Sequence, residues 1–312
     1  MPEGPEVRKY ADALDSVLTG RVVISMEART REAKAWLKEN ETRIVGRRVE
    51  RVMSHGKHLL GYIEGGFYFH SHLMMWGRWQ TFAPEQLPER DRRERARVVV
   101  EGGAALLYSA PIFNVGEGDP YKQIENLGSL GPDVLPYKGA FARDEFRRRL
   151  LLPERLGITI GAALLNQRIL GGLGNYLRAE VLFSCRINPW RKVGELKRRE
   201  LDCLSRTAPE LTRRAYLLSA TATEEDRERM KTDPSLVYQP GREYGTRHLV
   251  FRRTNLPCLR CGEAIKQLRQ VTYNDETSKG KGQAASGNVD EEERTRIVYY
   301  CAKCQKVEEL GK

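Results

Sequence analysis

The opening MPEGPEVRKYADALDSVLTG (residues 1–20) sets a proline at position 2 directly before Glu3 and at the mouth of a helix. Apolar Val7, Tyr10, Ala11, Leu14 and Leu18 recur at helical spacing, and Gly20 stands just past the end, so the spacing predicts a helix over 5–18. Initiator methionine is trimmed when a small residue follows, which leaves Pro2 as a free secondary amine. Pro2 is then either a nucleophile or a stiff start to a helix. Glu3 and Glu6 likewise either serve that amine or only complement the helix dipole.

Working outward, short β-branched and aromatic runs separated by glycine fill residues 21–110 (RVVISM, RIVGRRVERVM, HLLGYIEGGFYFHSHL, ARVVVEGGAALLYSA). They predict antiparallel strands in a sandwich or barrel. LGSLGPDVLPYKGAF (127–141) has the Gly and Pro content of a linker. Residues 141–218 then read as mostly helical, with GGLGN (171–175) as the one sharp interruption. The expected domains are 1–131, 132–248 and 249–312.

A formal charge of +11 on 312 residues favours a polyanionic partner, nucleic acid first, over a small neutral one. No apolar run approaches the roughly 18 residues of a membrane span, and the first six residues carry acids, so neither a membrane partner nor a signal peptide is expected. The expected location is the cytoplasm, at the nucleoid of a bacterium, and the expected state a monomer. Of six cysteines, Cys258, Cys261, Cys301 and Cys304 form two C-x-x-C pairs. That pattern reads as one structural zinc ion with four thiolate ligands in a reducing compartment, against the competing reading of a redox dithiol; no organic cofactor is expected. Residues 272–295, between the pairs, are polar with almost no apolar side chains and are expected to be a disordered insertion in a ribbon hairpin. Cys185 and Cys203 fall in helical sequence and are expected to be buried apolar residues.

In ITIGAALLNQRILGGLGNYLRAEVLF (158–183) one apolar helix ends at the glycines and a second begins at Asn175 or Tyr176. A helix N-terminus with exposed N–H groups suits a phosphate, and an ordinary helical hairpin is the alternative.

MPEGPE, GLGNYLRAE and the paired cysteines ending in CAKCQ together resemble the formamidopyrimidine-DNA glycosylase and endonuclease VIII family, from Pro2 to Gln305. The resemblance implies an α+β multidomain fold: an N-terminal β-sandwich with an N-terminal helix, a helix-two-turn-helix domain and a C-terminal zinc ribbon, with damaged DNA bound between the halves. It implies that the Pro2 nitrogen attacks C1′ of the damaged nucleotide, that Glu3 moves protons there, and that Glu6 orients Pro2 or Glu3. Lys57 in SHGKHLL, Asn175 in the two-turn motif and Arg296 on the ribbon hairpin match the family's phosphate contacts. An α-amine titrates near 7.7 to 8.0 and a lysine near 10.4, so at neutral pH the amine has a neutral fraction on the order of a few hundredfold larger. An enzyme that flips a nucleotide must also fill the hole it leaves. In the purine-repair branch an arginine and a phenylalanine of a DPRRFG-like loop help to do so. This chain reads YSAPIFNVG there, with Phe113 and Asn114 in their places. The endonuclease VIII branch uses three residues between a histidine and G-x-W, and SHLMMWGRW supplies Met74, Met75 and Trp76, with ordinary β-domain core as the alternative. The implied activity is removal of oxidised pyrimidines and strand cleavage by β,δ-elimination. The alternatives are a formamidopyrimidine and 8-oxoguanine glycosylase, or a non-catalytic zinc-ribbon DNA-binding protein.

Overall fold

A computed structural model describes residues 2–236, 243–272 and 295–308. The chain divides into two compact units, Met1–Ala140 and Phe141–Lys312.

The first unit is a β-sandwich flanked by helices. Helix α1 (Gly4–Leu18) comes first, with Pro5 in its first turn, where a missing N–H costs nothing. It buries Val7, Ala11, Leu14 and Leu18. Strand β1 (Val23–Ala28) and helix α2 (Arg31–Ile44) follow. Helix α2 overturns the expectation of strands alone between residues 21 and 110: Ala33, Leu37 and Ile44 give it a buried stripe. Next come β2 (Val49–His55), β3 (His58–Ile63), β4 (Phe67–His72), β5 (Arg78–Phe82), β6 (Glu94–Val100), β7 (Gly103–Tyr108) and β8 (Ile112–Glu117). They form two antiparallel four-stranded sheets, ordered β1-β6-β7-β5 and β2-β3-β4-β8. Phe69, Trp79 and Phe113 pack together in one core with the buried face of α1, and Trp79 Nε1–H donates to Ser71 Oγ at 3.0 Å.

The second unit holds α4 (Arg143–Leu150), α5 (Ile160–Ala163), α6 (Asn175–Ser184), α7 (Arg198–Leu218) and α8 (Glu224–Thr232), after the single-turn α3 (Pro120–Gln123) of the first. A two-stranded hairpin, β9 (Ile265–Val271) with β10 (Thr295–Cys301), and the one-turn α9 (Ala302–Gln305) complete it. The expected polar insertion falls almost wholly on residues 273–294, outside the described residues. Cys185 and Cys203 are not separate apolar residues as expected: they are joined by a disulfide between the end of α6 and α7. Each is isolated in sequence, and only the fold brings the two together. Among the described residues no helix is long and apolar enough to cross a membrane.

Candidate functional site

Pro2 sits half-buried just ahead of α1, and Glu3, the residue that caps the helix, is 2% exposed. The Glu3 N–H donates to Glu6 Oε2 at 2.9 Å, so Glu6 satisfies one of the donors that a helix start leaves over. Helix α1 runs antiparallel to β2: Gly20 N–H donates to Val49 O at 2.8 Å, and Val52 N–H donates to Asp15 Oδ1 at 2.7 Å. From Asp15 back to Glu3 is about 18 Å of helix. From Val52 on to Lys57 is about 17 Å of strand. Pro2, Glu3 and the turn that carries Lys57 therefore come to the same end of the sandwich.

Lys57 belongs to the two-residue connection between β2 and β3, in which Gly56 takes φ +58°. Asp133, from LGPDVL, pins that turn, because its carboxylate accepts the N–H groups of Gly56 and Leu135. Burial pushes the Asp133 carboxyl up to about 6, against the opposing pull of those two donors and of nearby His55 and Arg8.

His58 follows Lys57, lies opposite His72 across the β3–β4 pair, and stacks on His70. His58 Nδ1 and His70 Nε2 are 2.9 Å apart and share a hydrogen bond, while His70 Nδ1 accepts from Asn114 Nδ2 at 3.3 Å. Burial, reinforced by neighbouring positive charge, holds His70 down to about 3, His72 to about 4, and His58 well below its ordinary range. All three are neutral at pH 7. Neutral His72 accepts the Met74 N–H on Nδ1 at 3.2 Å, which an imidazolium has no lone pair to do.

Met74, Met75 and Trp76 form the tip between β4 and β5 and are 43%, 53% and 78% exposed, so they are not the β-domain core. Met74 takes φ +51°, and Gly77 N–H closes the tip onto Leu73 O at 2.8 Å. A Cβ on Gly77 would lie 2.5 Å from that oxygen and 2.8 Å from the Ala110 Cβ, which explains a glycine there. Phe113 is fully buried, Asn114 bonds to His70, and only residues 109–111 join β7 to β8.

In the second unit, Asn175 opens α6 after Gly174. Its Oδ1 accepts Arg178 Nη2 at 2.6 Å, so the amide N–H groups are its remaining side-chain donors. Arg178 is fully buried and also donates to Ile297 O at 2.8 Å, and to Gly161 O and Gln270 Oε1 at 3.3 Å each. A Cβ on Gly161 would lie 2.2 Å from Gln270 Oε1. One guanidinium thus ties Asn175 to the strand on which exposed Arg296 precedes Ile297.

The ribbon cysteines bring four sulfurs within 4.8 Å of one another, and among the described residues they are the group that fits a metal ion. Cys258 and Cys304 Sγ are 3.8 Å apart, and Cys261 Sγ lies 3.5 Å from both Cys301 and Cys304. A tetrahedral zinc with Zn–S near 2.3 Å has edges of about 3.8 Å, so the four thiolates fit one structural ion.

Asp133, His58, His70 and His72 pack around the Lys57 turn and the tip, and Arg178 holds Asn175; motif reading passes over all five. The period-two HSH of β4 was the available signal for the histidines.

Residues 1–111 match the formamidopyrimidine-DNA glycosylase N-terminal domain, and residues 130–226 match the helix-two-turn-helix domain of the same protein. The chain is 32% identical over 269 residues to Endonuclease 8 of Pectobacterium atrosepticum, spanning 86% of this chain and 94% of that one. It is 29% identical over 308 residues to Endonuclease 8 of Salmonella typhi, spanning 98% and 100%. Its fold is similar to that of Lactococcus lactis Fpg, solved in complex with DNA containing an abasic site, at a TM-score of 0.69 and 21% identity, over 97% of this chain and 99% of that one.

Two measurements check the geometry. Cys258→Ser should lower zinc content and the thermal stability of the second unit together, read by metal analysis and melting. Asp133 has a folded pKa above its unfolded one, so its contribution to stability is present at low pH and is lost as pH rises from about 4 to about 6. Asp133→Asn keeps an acceptor and should remove that loss, gaining on the order of 2 kcal/mol relative to the parent between pH 4 and pH 7 in urea unfolding.

Proposed function

The chain belongs to the formamidopyrimidine-DNA glycosylase and endonuclease VIII family, and from that premise we propose that it is a bifunctional glycosylase and abasic-site lyase that removes oxidised pyrimidines from DNA. Membership carries the coarser statement, a DNA glycosylase of base excision repair. The substrate and the amine chemistry rest on the residues.

The observation that carries the reading is the start of α1, where Pro2 immediately precedes a buried carboxylate whose own N–H is held by Glu6. Once Met1 is removed, Pro2 is a secondary amine that is partly neutral near pH 7 without help from burial. It attacks C1′ and the damaged base leaves, with Glu3 beside the reacting carbon to give and take protons. The resulting imine makes the C2′ proton acidic. Loss of that proton expels the 3′ phosphate, and a second elimination expels the 5′ phosphate. Lys57, Asn175 and Arg296 are cation and amide donors suited to phosphate oxygens. Cys258, Cys261, Cys301 and Cys304 would hold a zinc ion that would supply structure to the hairpin carrying Arg296.

The pyrimidine assignment draws on the tip. Three large exposed apolar side chains on a closed turn suit insertion into a base stack. The short β7–β8 connection, with Phe113 in the core, leaves no loop from which an arginine and a phenylalanine reach the opposite base. That favours the endonuclease VIII type over the purine-repair type. The expected location is the cytoplasm, with the protein acting as a monomer on damaged DNA.

Borohydride added during reaction with an abasic-site duplex should leave protein covalently joined to DNA, and a blocked or tagged N-terminus should abolish the adduct. Trapping that persists with a blocked terminus would move the nucleophile away from Pro2. Met75→Ala should lose activity on paired lesions while keeping it on single-stranded abasic DNA. Without a hydrogen-bonding wedge, discrimination among opposite bases should fall short of the tenfold to hundredfold that about 1 to 3 kcal/mol of bidentate contact gives. Faster excision of 8-oxoguanine opposite cytosine than of thymine glycol or dihydrouracil would refute the pyrimidine assignment.

A further inference from the structure

We propose that Cys185 and Cys203 are a redox modification site, oxidised by peroxide to a disulfide that fastens α6 to α7 and reopened by thiols. The proposed reaction does not use them, and they are not among the four cysteines grouped for a metal ion. Cys185 caps the C-terminus of α6, and Cys203 lies in the second turn of α7, 18 residues on. Their bond raises a chemical question. A protein that repairs DNA works in a reducing compartment, where a disulfide is usually transient or redox-sensing rather than permanent. To that extent the proposal rests on the repair reading above.

The surroundings suit a reactive pair. Both residues are half-buried, so small oxidants and thiols reach them. Arg186 adjoins Cys185, and Arg199 and Arg206 lie one helical turn either side of Cys203, while the neighbouring acids Glu200 and Asp202 are paired with Arg191 and Arg147. Thr207 Oγ1 is 3.6 Å from Cys185 Sγ and 3.5 Å from Cys203 Sγ, a hydroxyl placed to donate to whichever sulfur is ionised. One thiolate takes an oxygen from hydrogen peroxide to give a sulfenic acid and hydroxide. The second thiol displaces the sulfenic oxygen as water, and the S–S bond forms. In sum two thiols and one peroxide give one disulfide and two waters. Two electrons and two protons from a dithiol reverse the step.

Helix α6 carries Asn175, Arg178 and Glu180, so fastening its C-terminal end stabilises the helix on which the second unit is assembled. Asn175 lies about 15 Å further along the helix from the bond. Oxidation should therefore raise thermal stability and leave DNA affinity at 25 °C unchanged. The modification fits an enzyme that must stay folded when oxidants damage both DNA and protein.

The test uses the full-length, zinc-loaded protein, first without substitution and then with one cysteine replaced. One sample is reduced with dithiothreitol and a second is then treated with stoichiometric hydrogen peroxide. Alkylation and peptide mapping locate the bond, and melting is followed in both states. We expect a Cys185–Cys203 linkage in the oxidised sample only, zinc retained in both, and a melting midpoint higher by about 5 to 10 °C after oxidation. Cys203→Ser should melt identically in the two states, and Cys185→Ser serves if that variant fails to fold. The proposal is overturned if the native protein keeps the bond in millimolar dithiothreitol. It is overturned equally if peroxide leaves these sulfurs free or carries them to sulfinic acid, or if the two states melt together. Loss of borohydride trapping in both states would count against the Pro2 chemistry and leave the thiol result standing.

Discussion

The second unit depends on two buried side chains of opposite charge on one short helix. Arg178 and Glu180 are both fully buried on α6, where isolated charges would cost several kcal/mol each if left without partners. Glu180 accepts the N–H groups of Leu249, Val250 and Phe251 at 2.8 to 2.9 Å and the Thr221 hydroxyl at 2.7 Å. Arg178 donates to main-chain carbonyls of α5 and β10 and to the carboxamides of Asn175 and Gln270. Helix α6 thereby holds the segment leading into the ribbon through Glu180, and the ribbon hairpin through Arg178. Remove either charge and the backbone groups that it binds remain buried without that partner.

In the first unit the equivalent constraint is register. Because side chains alternate along a strand, the β3–β4 pairing that sets His58 opposite His72 also fixes which face His70 occupies, and with it the contact to Asn114 on β8. His72 then reaches forward to Met74, and Gly77 closes the turn behind Trp76. A one-residue slip of β4 would turn His70 and His72 to the face opposite His58 and release the tip. The antiparallel run of α1 along β2 completes the arrangement by bringing Glu3 level with the Lys57 turn.

Much of this was legible in the sequence. The helix over 5–18, the two sheets, the break at GGLGN and the pairing of four cysteines all follow local rules of period, glycine placement and ligand spacing. Helix α2 was missed because REAKAWLKENETRI lies among strong strand runs and shows only a narrow apolar stripe, although Ala33, Leu37 and Ile44 carry it. Asp133, Arg178 and the Cys185–Cys203 bond are contacts between positions distant in sequence, and nothing local marks a buried arginine or an isolated cysteine as partnered. The tip was open to two readings from sequence, since apolar residues next to a strand read equally well as core. Exposure removes the core reading, and exposure is a property of the fold.

The polar groups around Lys57 also set how the first unit responds to acid, and they act in opposite directions. His58, His70 and His72 are depressed in the folded chain, so between about 4 and the ordinary histidine range the unfolded chain binds more protons, and stability rises with pH. Asp133 is raised, so over nearly the same interval the folded chain binds more protons and its contribution falls with pH. The histidines and the carboxyl thus pull stability in opposite directions across that window. Above that window the imidazoles beside Lys57 are uncharged, and Asp133 is ionised and bound to the turn. Acidification would reverse both conditions at once, adding positive charge beside Lys57 and removing the acceptor that holds Met74.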